Sequence, residues 1–151
     1  MTQKLILFFL FFSTSFFAQN IKSIQLRPLQ EDNYSSIVPL GTLLELSFDD
    51  LDADSKNYNY RIEHMTHDWQ KSRLLSSQYI DGFDENSILS VTNSFNTFQN
   101  YTHYAVKIPN INSVITKSGN YLISVINDYD EVVFSRKLVL YENETTVAVN
   151  V

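Results

Sequence analysis

Tyr58, Tyr60, Ile62 and His64 alternate with Asn57, Asn59, Arg61 and Glu63. Successive side chains of an extended chain point to opposite faces, so this two-residue period sorts rings and aliphatic groups onto one side and polar groups onto the other. A helix would scatter both sets around its circumference. Similar runs follow the same rule. Ile21, Ile24 and Leu26 predict an edge strand ending at Pro28, and Leu44, Leu46 and Phe48 a second strand after the irregular stretch 29–41. Weaker strands are expected near 72–80 and 87–93. Thr102, Tyr104, Val106 and Ile108 alternate up to Pro109, whose missing N–H stops pairing. Tyr121, Ile123 and Val125 form the next strand. The turn Asn127-Asp-Tyr-Asp130 then leads into a partner strand from Val132 to Tyr141. No segment of helical length carries a 3.6-residue apolar period. Short strands separated by polar turns predict an all-β, immunoglobulin-like antiparallel sandwich of about seven or eight strands over residues 19–142.

The flanks read differently. Lys4 is followed by the apolar run Leu5-Ile-Leu-Phe-Phe-Leu-Phe-Phe12 and then by Ser13-Thr-Ser-Phe-Phe-Ala18-Gln19. That layout predicts a secretory signal peptide over residues 1–18. The run is too short to span a bilayer, which takes about 20 residues. The Phe-rich leader suggests a Gram-negative source. At the other end, Val147, Val149 and Val151 alternate like a strand, so residues 143–151 are expected to begin a linker or a next domain. The formal net charge of −6 disfavours nucleic acid and anionic membrane surfaces. The sequence has no cysteine, which removes disulfides and a lipid anchor on an N-terminal cysteine.

Two segments carry structural motifs. In Ser118-Gly119-Asn120-Tyr121, the glycine suits a sharp corner and the tyrosine can bury its ring while its hydroxyl bonds upstream backbone. Tyr58 and Tyr60 bury one face of a central strand, and Trp69, after the next turn, is expected to fold back over the core.

Several segments occur in an order that resembles a known family. They are Phe48-Asp49-Asp50-Leu51, Tyr58-x-Tyr60-x-Ile62-x-His64, Asp68-Trp69, Tyr79-Ile80-Asp81-Gly82-Phe83, Asn96-Thr97, Tyr101-Thr-His103-Tyr104, Ile108-Pro109-Asn110 and Ser118-Gly-Asn-Tyr121. Together, over residues 21–142, they look like the N-terminal domain of the type IX secretion system plug protein, formerly a domain of unknown function in Bacteroidetes. The resemblance implies a periplasmic protein held at the outer membrane by its partner, the large translocon barrel, whose inner mouth it caps so that an idle pore does not leak. It implies no catalysis and no cofactor. Members are much longer than this chain, so it also implies a fragment.

The residues themselves argue little chemistry. His64-x-x-His67-Asp68 places its ligands on opposite strand faces. Asp50-x-Asp52-x-Asp54 starts like a calcium loop, but Ser55 and Arg61 stand where glycine and a bidentate glutamate are needed. No Gly-x-Ser-x-Gly elbow or phosphate loop exists. An enzyme is therefore not expected, nor a bound metal. Candidate partner-binding residues are Phe83, Phe95, Phe98 and Tyr101, with Tyr79, in loop-like sequence, and Asp49 and Asp50 in the acidic turn. The bland reading of these rings is that they plug the open ends of the sandwich. The alternative function is a carbohydrate-binding or adhesin-like module at the cell surface, stacking exposed rings on sugars.

Overall fold

The computed structural model describes residues 20–30 and 35–142; the expected signal peptide and the segment 143–151 lie outside them. Eleven strands run in chain order: β1 (Ile21–Pro28), β2 (Ile37–Pro39), β3 (Leu44–Asp50), β4 (Asn59–Met65), β5 (Ile80–Gly82), β6 (Glu85–Ser87), β7 (Ser90–Asn93), β8 (Thr102–Ile108), β9 (Ser113–Ile115), β10 (Gly119–Ile126) and β11 (Val132–Tyr141). One sheet has the order β1-β3-β8-β7 and the other β2-β11-β10-β4-β6, with β5 and β9 paired as a small third sheet.

This is the order of an immunoglobulin-like sandwich. β1, β3, β8 and β7 take places A, B, E and D, while β4, β10 and β11 take C, F and G, with β6 beside C as C′. β2 pairs parallel with β11; the other strand pairings are antiparallel. The expected sandwich is thus observed, with more strands than the seven or eight expected. The surplus is short: β2, β5, β6 and β9 have three residues each.

The core forms where the alternating faces meet. Leu44, Leu46 and Phe48 from β3, Tyr60 and Ile62 from β4, Tyr104 and Ile108 from β8, and Tyr121, Ile123 and Val125 from β10 are all buried. Burying each such side chain contributes about 1.5–3 kcal/mol. Phe48 stacks on Tyr104 at 5.0 Å between centroids and meets Tyr58 and Phe134 edge-on at 5.2 and 5.1 Å. This aromatic cluster closes one end of the core.

The other end turns at Gly119. The Tyr121 hydroxyl donates to Lys117 O at 2.6 Å, the upstream backbone contact that a tyrosine corner makes. Burial first, then Tyr79 and Glu142, pushes the phenol above its ordinary pKa. Tyr121→Phe removes only the hydroxyl, so a loss of about 1 kcal/mol is expected, read as a lower denaturation midpoint at unchanged slope. No loss would mean that the hydroxyl contributes nothing to the corner.

Two expectations are corrected here. Tyr79, a partner-binding candidate in loop-like sequence, does lie in the turn before β5 but is buried against Tyr121 and His64, so it plugs the core and faces no partner. Trp69 does not fold over the core. A positive φ of 63° carries it to the outer face of the β11 sheet, where Lys137 Nζ lies 4.3 Å from its ring centroid.

Candidate functional site

The strand directions gather three connections at one end of the sandwich. They are the loop 51–58 after β3, the hairpin 94–101 between β7 and β8, and the turn 127–131 between β10 and β11. In immunoglobulin terms they are the B–C, D–E and F–G loops.

The B–C loop is organised by a buried carboxylate. Asp50 continues the inward parity of Leu44, Leu46 and Phe48 and is fully buried. Its oxygens accept hydrogen bonds from the Tyr58 hydroxyl at 2.9 Å, the Lys56 ammonium at 2.9 Å and the Asp52 amide at 3.0 Å. Lys56 also binds Asp52 and lies 3.5 Å from Asp54. Burial works against the Lys56 charge, but the bonds from Asp52 and Asp50 outweigh it and hold the ammonium pKa above its ordinary range. The Tyr58 phenol is raised by burial and then by Asp50.

The carboxylates of Asp50, Asp52 and Asp54 come within 4.8 Å of one another, a spacing that could hold a cation. The chain supplies that cation itself, because Lys56 contacts all three. Added calcium is therefore expected to leave the melting temperature unchanged, whereas a rise of several degrees would show that the ion displaces Lys56.

The B–C loop is tied to the F–G turn and to the start of β8, and Gln99 Nε2 of the hairpin donates to Leu51 O at 3.5 Å. Asn57 Nδ2 donates to Asp128 Oδ2 at 3.2 Å, the Thr102 hydroxyl reaches Asp54 O at 3.1 Å, and the Lys56 amide donates to Tyr104 Oη at 2.8 Å. Between the B–C loop and the F–G turn lies a cleft of about 710 Å³ lined by Asp52, Asn57, Asp128 and Tyr129 among others. The F–G turn is closed by Asn127, whose Oδ1 accepts the amides of Tyr129 and Glu131 at 3.0 Å each. That closure projects the Tyr129 ring outward, 84 % exposed.

In the D–E hairpin, Ser94 and Tyr101 exchange backbone and side-chain bonds of 2.9 Å, and Asn96 takes a positive φ of 56°. The hairpin holds Phe95 94 % exposed and Phe98 fully exposed.

The candidates therefore separate. Phe95, Phe98, Tyr101 and Asp49 share this end; Tyr101 is half-buried, and Asp49 Oδ1 lies 2.6 Å from His103 Nδ1. Asp50 lies at the same end but is inaccessible, so it supports the surface from beneath and does not meet a partner directly. Phe83 is exposed elsewhere, with its amide bonded to Asn112 O beyond the far end of β8. The sequence reading missed Tyr129 and Asp128. Their placement follows from the β10–β11 hairpin, which the turn residues signalled, and from the topology that brings it beside the B–C loop.

No helix among the described residues is long and apolar enough to cross a membrane. A family model described as "Type 9 secretion system plug protein 1st domain" matches residues 21–142. No curated protein matches. Among solved structures, the crystal structure of a hypothetical protein from Parabacteroides merdae ATCC 43184 superposes with a TM-score of 0.76 at 29 % identity over 82 % of this chain. The match spans 32 % of that longer chain, about a third of its length.

Proposed function

Because this chain belongs to the family of type 9 secretion system plug protein first domains, we propose that it acts as a non-catalytic interaction module that helps cap the periplasmic mouth of an outer-membrane secretion pore. Residues 1–18 direct export and are removed, and the domain works in the periplasm. The partner is the translocon barrel itself, and attachment to the outer membrane is through that partner.

The observation that carries this reading is the contrast at the loop end. The cations Lys56 and Arg61 there are engaged, Lys56 with its three aspartates and Arg61 with Glu85 and Asp130. The rings of Phe95, Phe98 and Tyr129 stand in water. A rigid body that offers apolar rings and keeps these cations paired suits binding, since rings anchor interfaces.

The test is co-isolation. The tagged native protein is recovered from mildly solubilised envelopes of its own cells, beside a Phe95→Ala/Phe98→Ala variant. The expected result is a very large outer-membrane barrel with the native protein and at least a tenfold loss of it with the variant, about 1.4 kcal/mol or more. Recovery of the bait alone from cells that make the barrel would overturn the reading.

A further inference from the structure

We propose that the B–C, D–E and F–G loops form one end-on docking surface for a protein whose contact patch is apolar at its centre and basic at its rim. This rests on the reading of the domain as an interaction module and names the chemistry of what it binds.

The first argument is charge. Of the 17 acidic residues, Glu31, Asp32 and Glu144 lie outside the described residues, which leaves fourteen. Seven of these sit at this one end: Asp49, Asp50, Asp52 and Asp54 around the B–C loop, and Asp128, Asp130 and Glu131 in the F–G turn. Against them stand Lys56, Lys22 (opposite Asp49 in the β1–β3 register) and Arg61, which reaches Asp130 from β4. The end is therefore clearly negative, while the remaining described residues carry about as many cations as anions. A concentrated field of this kind steers cationic surfaces and repels anionic lipid headgroups.

The second argument is shape and pre-organisation. Tyr129 lines the 710 Å³ cleft, whose walls also carry Asp52 and Asp128, and Phe95 and Phe98 stand exposed on the hairpin at the same end. The rings offer flat apolar area, and the cleft offers carboxylates to a lysine or arginine side chain. Bonds from the B–C loop to the F–G turn, to Thr102 and to Gln99 of the hairpin, with the Phe48–Tyr104 stack beneath them, hold the surface in one arrangement before binding. Little ordering entropy is then lost on association. A second exposed patch, Phe83 with Leu89 and Ile111, lies away from this end, and nothing in its surroundings says what covers it.

The test uses the native protein in its own cells, with the photoreactive residue p-benzoylphenylalanine placed singly at position 98, 129 or 83. Positions 98 and 129 are expected to give an adduct with the same protein, through a partner peptide containing lysine or arginine, and position 83 none. Adding Asp128→Lys and Glu131→Lys to the position-98 probe is expected to lower the adduct at least tenfold, and raising salt to weaken it. Adducts from position 83 alone, adducts with lipid, or indifference to the charge reversal would each overturn the proposal. Co-isolation of a barrel with no adduct at 98 or 129 would sink this surface alone; bait recovered without any partner would sink the interaction-module reading as well.

Discussion

Asp50→Ala is expected to lower stability by roughly 2–4 kcal/mol, reaching somewhat below the range for a broken buried pair because Lys56 keeps part of its side chain in water. The substitution removes one buried carboxylate that three donors share: the Tyr58 hydroxyl, the Lys56 ammonium and the Asp52 amide. The Tyr58 hydroxyl is left without its acceptor inside the aromatic cluster, and an unmade buried hydrogen bond costs more than a made one contributes. The melting temperature should fall by roughly 5–15 °C for a domain of this size. Asp52→Ala is the control. Asp52 is exposed, its carboxyl is held below its usual pKa first by Lys56 and then by Asn20, and its loss should cost less than about 1 kcal/mol. Equal costs for the two variants would contradict the organising role given to Asp50.

Gly119→Ala is expected to cost about 2–4 kcal/mol, from an unfavourable φ and from overpacking. The φ of Gly119 is 149°, and a Cβ there would stand 2.6 Å from His64 Nε2. The imidazole cannot retreat easily, since it lies 5.2 Å from the Tyr121 ring and 5.6 Å from that of Tyr79. Burial first, then Lys117, lowers the His64 pKa, as expected of a ring packed in the corner. Placed in a His64→Ala background, Gly119→Ala should cost about 1–2 kcal/mol less, because the clash is gone and only the backbone strain remains. Additive costs, measured by denaturant unfolding of the four proteins, would show that the imidazole does not require the glycine.

The parts of the fold that were legible are those with a strong period. Tyr58 to His64, Leu44 to Phe48, Thr102 to Ile108 and Tyr121 to Val125 each repeat often enough for the alternation to define a buried face. The three-residue strands β2, β5, β6 and β9 contain too few positions to show any period; they exist because a neighbouring strand offers them partners. Gly82 marks one such approach, since a Cβ there would meet Asn112 O at 2.2 Å. Trp69 was misplaced because a turn with positive φ, invisible in composition, decides which face its ring covers.

Asp50 is instructive in another way. The acidic run made Asp50 a partner-binding candidate, yet Leu44, Leu46, Phe48 and Asp50 share one parity, and that parity was the better guide. The exposed rings could be named from their polar surroundings, but their grouping could not. Phe98 and Tyr129 are 31 residues apart and share one end only through the sheet order, while Phe83 is carried to the other.

The most direct test of the plug reading is the permeability of the outer membrane in cells whose chromosomal copy carries Phe95→Ala, Phe98→Ala and Tyr129→Ala. Uptake of a large hydrophilic antibiotic that an intact outer membrane excludes would be measured, with the variant present at normal level and folded. Leakage close to that of cells lacking the protein is expected, and none once the translocon barrel is also deleted. An intact barrier in the triple variant, with the native protein's deletion strain leaking, would contradict the plug reading.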